Sequence, residues 1–267
     1  MKTINQIKQE ATQTSIPIMM DEGMEFILDY IKQNDVQFIL EIGTAVGYSA
    51  INFAKIRSDI RVYTIEYDIE RYHQAVKNIV NLGLSHQITV FLGDALKFDF
   101  KDKFDLIFID GAKSQYINFF EKYKNNLTPN GVFISDNLLF HGMVDDISKT
   151  QNYSTKKLIR KIRRYIDFLK SNTEFQTTFH NLGDGVAVSK RFGAGNLKDL
   201  RKTVHTTVSL GFIMGILFNF FERFFHSRSK RMAVSVTFVM MTVAFSCLTF
   251  QVGAVHISFS SLLACMM

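Results

Sequence analysis

Four side chains in the middle of the chain have the types and spacing to do chemistry together. Asp110 closes the run DLIFID (105–110), Asp136 and Asn137 close GVFISDN (131–137), and Lys113 follows Asp110 by three residues. Both runs are short and apolar, so each reads as a buried strand with its polar residues at the carboxyl end. In one parallel sheet those ends share an edge, and two carboxylates converge there with an amide oxygen. Hard oxygen donors without histidine or cysteine suit Mg²⁺ or another hard divalent ion. Lys113 reaches the same crevice, where a nearby cation would lower its pKa and let it act as a general base. Singly, each Asp is explained as a loop cap and Lys113 as a solvated charge; their convergence favours a site.

A second group lies earlier. FILEIGTAVGYSA (38–50) reads as a buried strand that stops in a glycine turn, with Gly43 and Gly47 letting backbone approach a ligand, and restarts as a helix. Its G-x-x-x-G spacing is not the dinucleotide fingerprint, which weighs against a nicotinamide or flavin cofactor. The next strand, RVYTIEYD, carries Glu66, where an acidic side chain can accept both hydroxyls of a ribose. Asp94, in GDAL after a third strand, either accepts from an exocyclic amine or caps the next turn. Met19 and Met20 precede the first strand; either packs the core or covers a bound cofactor.

The elements that must position these groups alternate. Helices are expected over 2–13, 21–34, 49–57, 69–82 and 114–126, with strands between them and a turn at Pro129–Gly131 leading into the fifth. Ser154 caps a helix to about Ser171, and EFQTTFHNLGDGVAVSK reads as two β runs joined around Gly183, Asp184 and Gly185. The prediction is an α/β doubly wound sheet of seven strands, mostly parallel, with the last inserted antiparallel.

With those residues in view, the chain resembles a known family. EIGTAVGYSA, the acidic end of the second strand, GDAL, FIDGAKSQY and ISDNLLFHGMV are similar to motifs of the cation-dependent O-methyltransferases related to catechol and caffeoyl-CoA methyltransferases, within the Rossmann-like class I fold. The similarity spans roughly residues 5–191 and leans toward the bacterial branch that methylates 5-hydroxyuridine at the tRNA wobble position. The resemblance implies S-adenosylmethionine held by Met19, Gly43, Ser49, Glu66, Asp94, Ala95 and Asp110. It implies Mg²⁺ on Asp110, Asp136 and Asn137, and Lys113 as the catalytic residue near the acceptor oxygen.

The substrate is where readings divide. KKLIRKIRRYIDFLK (156–170) has one acidic residue, Asp167, with Leu158, Ile162, Ile166 and Leu169 as the expected buried stripe, so its charges project outward. That face is either solvated or a phosphate-binding surface for tRNA, which two copies in a homodimer would join. A small catechol or phenylpropanoid acceptor leaves the face without a role. A membrane-tethered, non-catalytic cofactor-binding protein is a further alternative, against which Asp110, Asp136, Asn137 and Lys113 argue.

Composition divides the chain. From Gly193 onward seven Lys or Arg face two acids, a net of +5, so residues 1–192 hold only +1 of the total +6. Cys247 and Cys265 both lie in that tail, leaving the first 192 residues no disulfide framework or cysteine metal site, and MKTINQIKQEATQ lacks a secretory apolar run. A cytoplasmic catalytic domain over 1–192 is the expectation, followed by a linker (193–203) and an apolar tail outside the fold (204–267). Val204–Phe221 and Met232–Met267 contain no Asp, Glu, Lys or Arg over 18 and 36 residues. Both flanks of the first stretch are basic, so charge assigns no clean topology. The tail reads as a membrane anchor, an interfacial or aggregating segment, or a fusion or read-through extension.

Overall fold

A computed structural model describes residues 2–192; the linker and tail assignments fall outside the described residues. In chain order the elements are α1 (Ile4–Gln13), α2 (Asp21–Gln33), β1 (Phe38–Ile42), α3 (Tyr48–Ala54), β2 (Arg61–Glu66), α4 (Ile69–Asn81) and β3 (Ile88–Leu92). They continue with β4 (Phe104–Ile109), α5 (Tyr116–Tyr123), β5 (Leu127–Ser135), α6 (Tyr153–Ser171), β6 (Phe175–His180) and β7 (Val186–Arg191). The sheet is seven-stranded, in the order β3-β2-β1-β4-β5-β7-β6. β1 to β5 pair in parallel, and β7 enters antiparallel between β5 and β6, as expected.

The central strands are apolar on both faces because helices cover both. Along β4, Leu106 and Phe108 join one buried cluster with residues of α1, α2 and α3, while Ile107 and Ile109 join another with residues of α5 and α6. Each such side chain, fully buried, contributes roughly 1.5–3 kcal/mol.

Four local expectations need correction. The cap of α6 is Asn152, whose Oδ1 accepts from Thr155 N at 3.0 Å, and not Ser154. The helix over 114–126 is shorter: α5 spans Tyr116–Tyr123, between 3₁₀ turns at Lys113–Gln115 and Lys124–Asn126. Pro129–Gly131 is an irregularity within β5, whose register jumps from Phe104↔Leu127 to Leu106↔Val132. Gly131 suits that bulge, since a Cβ there would meet the Phe104 carbonyl oxygen at 2.7 Å. On α6 the buried stripe is Ile159, Ile162, Tyr165 and Leu169, with Leu158 and Ile166 only partly covered. Tyr165 enters the core because its hydroxyl meets Ser135 Oγ at 2.7 Å.

Among the described residues no helix is long and apolar enough to cross a membrane.

Candidate active site

The parallel ladder sets the site. Ile42 pairs with Ile109, and Ile109 with Ser135, so one step further Gly43, Asp110 and Asp136 stand abreast on adjacent strands. Asp110 N still donates to Ile42 O at 3.0 Å and Asp136 N to Ile109 O at 3.2 Å. The two aspartates thus sit one strand spacing apart, about 5 Å between backbones. Gly43 permits this closeness: its φ is +106°, and a Cβ would meet Asp110 O at 2.5 Å.

A cleft of about 990 Å³ opens over this edge, a size that suits a nucleoside cofactor beside a small acceptor group. Met19, Gly43, Ser49, Glu66, Asp94, Ala95, Asp110, Lys113 and Asn137 all line it, so the sequence-predicted residues come together. Asp136 does not line it; it lies buried just behind.

On one side, Glu66 ties loops together. Its Oε2 accepts from Ala45 N at 2.7 Å, and Oε1 accepts from Tyr67 N and Asp68 N at 3.0 and 2.9 Å. A carboxylate has about four acceptor positions, so capacity remains for one further hydroxyl. Asp94 does cap the following turn, accepting from Leu96 N at 2.9 Å through Oδ1. Oδ2 has no protein donor among the described residues and belongs to a side chain that lines the cleft. Met19 is buried in the core and lines the cleft at once, whereas Met20 is half-exposed.

Ser49 is committed to the protein: its hydroxyl donates to Glu41 Oε1 in a short hydrogen bond. Thr64 Oγ1 donates to Glu41 Oε2 at 2.5 Å and meets Thr44 Oγ1 at 2.6 Å. This chain fixes the loop between Gly43 and Gly47 from beneath. Burial pushes the Glu41 carboxyl up to about 7 from an ordinary 4.5, with the Glu66 charge adding to it and the two hydroxyls opposing. Raised in the fold, it favours the folded state below pH 4.5, and that contribution fades as pH rises through 7. The span is worth about 3 kcal/mol. Glu41→Gln should therefore gain on the wild type between pH 5 and pH 8 in unfolding experiments; a pH-independent difference would contradict the assignment.

On the other side, Asp110 keeps some surface toward the cleft but is densely surrounded. That desolvation, then the charge of Asp136, pushes its carboxyl well above the usual range, while Lys113 opposes. Burial likewise raises Asp136 to about 6, against the Asn137 backbone N–H and Lys113. Lys113 Nζ donates to Asn137 Oδ1 at 2.7 Å, and Tyr116 Oη to Asp136 O at 3.2 Å. Two crowded carboxylates beside an amide oxygen form a donor set that a hard divalent cation would fit, because its charge offsets the desolvation of both. No group of three or more His, Cys, Asp or Glu gathers as a metal cage among the described residues, so any such ion would rest on this mixed set and water.

Sequence reasoning missed one residue. Asp184, buried in the turn between β6 and β7, accepts from His141 N in a short hydrogen bond and from Asn137 Nδ2 at 3.3 Å. Its only local signal was an acid between two glycines, which reads equally as turn chemistry.

This geometry can be set beside known proteins. A family model described as O-methyltransferase matches residues 1–192. The chain belongs to the O-methyltransferase family. A Niastella koreensis catechol O-methyltransferase is 30% identical over 176 residues, covering 63% of this chain and 77% of that protein. The structure of a candidate caffeoyl-CoA O-methyltransferase from Staphylococcus aureus is 34% identical, covers 72% of this chain and 93% of that one, and superposes with a TM-score of 0.69. An O-methyltransferase from Bacillus cereus in complex with SAH shares the fold at 24% identity, covering 70% of this chain and 90% of that one, with a TM-score of 0.60. For this methyltransferase, of the catechol and caffeoyl-CoA type, the similarity ends near where the apolar tail begins.

Proposed function

We propose that this methyltransferase moves a methyl group from S-adenosylmethionine to the 5-hydroxyl of 5-hydroxyuridine at the tRNA wobble position, giving 5-methoxyuridine, with Mg²⁺ at the acceptor side. The Bacillus cereus relative binds the demethylated form of this donor, and the Glu66 and Asp94 acceptors suit its ribose and amine. Asp110, Asp136 and Asn137 would hold the cation. A divalent ion held there would supply positive charge that lowers the pKa of the acceptor hydroxyl. Lys113 Nζ takes the hydroxyl proton, the oxygen–methyl bond forms as the sulfur–methyl bond breaks, and the cleft walls keep donor and acceptor in line.

One observation carries the choice of a nucleic-acid acceptor. Tyr153, Lys157, Arg160 and Arg164 are all exposed on α6 and recur at i, i+4, i+7 and i+11, one straight row on the helix. None of the three cations has an ion pair among the described residues. The same helix packs against the Lys113–Gln115 turn, which carries the cleft residue Lys113. Unpaired cations headed by an exposed aromatic suit a phosphate backbone with an unstacked base. A homodimer would double that surface.

Replacing Lys157, Arg160 and Arg164 together with alanine should raise KM for tRNA by roughly ten- to a hundredfold and flatten its salt dependence. Transfer to a catechol should not change. The names of the relatives favour the rival reading, a small catechol-like acceptor. An unchanged KM for tRNA, or label entering only the catechol, would select it.

A further inference from the structure

We infer that Asp184 is a positioning residue that decides which end of the Asn137 amide faces the acceptor side of the cleft. An amide has one accepting and one donating end of nearly equal shape. Its two neighbours here are of opposite kind. In this structure Lys113 Nζ is the donor, 2.7 Å from Oδ1, whereas Asp184 offers carboxylate Oδ2 at 3.3 Å from Nδ2. Turning the amide over would set donor against donor at Lys113 and acceptor against acceptor at Asp184, so the pair admits one orientation.

The turn that carries Asp184 is fastened to the loop it serves. Leu138 N donates to Gly185 O at 3.0 Å and Leu139 N to Asp184 O at 2.7 Å, while the second carboxylate oxygen takes His141 N. Asn137, Phe140 and His141 hold left-handed backbone at φ 60°, 46° and 56°. Such a run of non-glycine residues persists only where neighbours over-determine it. Asp184, between Gly183 and Gly185, supplies those neighbours from a distant part of the chain.

Asp184→Asn tests the polarity. The new residue must still offer an oxygen to His141 N, which leaves its NH₂ toward Asn137. Asn137 then faces a donor on both sides, so its amide is no longer held in one orientation and its oxygen is partly withdrawn from the acceptor side. The effect on cation affinity rests on the divalent reading above. Mn²⁺ binding, measured by electron paramagnetic resonance on the full chain, should weaken about 10–100-fold, with S-adenosylhomocysteine affinity and unfolding temperature little changed. The exchanged pair Asn137→Asp with Asp184→Asn restores donor facing acceptor and leaves an oxygen toward Lys113, so it should recover most of the Mn²⁺ affinity. A merely structural role would not be rescued by that exchange. Unweakened Mn²⁺ binding in Asp184→Asn, or an exchanged pair no better than the single variant, overturns the inference. A wild-type chain that binds no Mn²⁺ overturns the divalent reading itself, and this effect with it.

Discussion

Asp110→Ala should abolish methyl transfer, by about 10³-fold or more, while the protein folds at least as stably as the wild type. The first half follows from the convergence of roles on one side chain: Asp110 stands beside Gly43, Asp136 and Lys113 at the floor of the cleft. Removing several kcal/mol of transition-state positioning is worth about three decades in rate. The second half follows from its electrostatics. A carboxyl whose burial and like-charged neighbour push its pKa well up is a charge the fold holds at a cost. Deleting it should raise the unfolding temperature at neutral pH in the absence of divalent ions. Added Mg²⁺ should stabilise the wild type and not the variant. Full activity in Asp110→Ala would remove the metal assignment.

Gly43→Ala should be the most damaging single methyl group in the fold. A Cβ there would lie 2.5 Å from Asp110 O, 2.8 Å from Asp110 C and 2.9 Å from Gly111 Cα, all backbone atoms that cannot swing aside. Its φ of +106° adds strain of its own. A loss of about 3–4 kcal/mol is expected, or roughly 6–16 °C in Tm for a domain of this size. Gly83→Ala is the matched control, since φ is +70° and nothing lies within 4 Å of the added carbon. It should cost about 1 kcal/mol. Equal losses at both positions, read by thermal unfolding, would show that close approach of the β1 and β4 ends is not what Gly43 provides.

These positions mark what was legible from sequence. Runs such as DLIFID and FILEI announce buried strands because they are mostly apolar and stop at Gly or Asp, and the site residues follow from where such strands stop. The closing hairpin was legible from the turn at Gly183, Asp184 and Gly185 between two β runs. What failed depended on distant partners. Tyr165 replaces the expected Ile166 in the buried stripe because Ser135 satisfies its hydroxyl, a pairing across 30 residues. Pro129–Gly131 reads as a turn because proline and glycine cluster there, and only the Phe104 pairing shows it to be a bulge. Asp184 reaches Asn137 across 47 residues. Ser49 lines the cleft as its position suggests, with its hydroxyl proton given to Glu41.

The measurement that bears most directly on the account is nucleoside analysis of tRNA lacking the wobble modification, treated with the full chain and S-adenosylmethionine, digested and read by mass spectrometry. The account predicts that 5-hydroxyuridine falls as 5-methoxyuridine rises in equal amount, that excess chelator stops the conversion, and that Mg²⁺ restores it. Unaltered 5-hydroxyuridine beside a methylated catechol, or conversion that ignores the chelator, would contradict it.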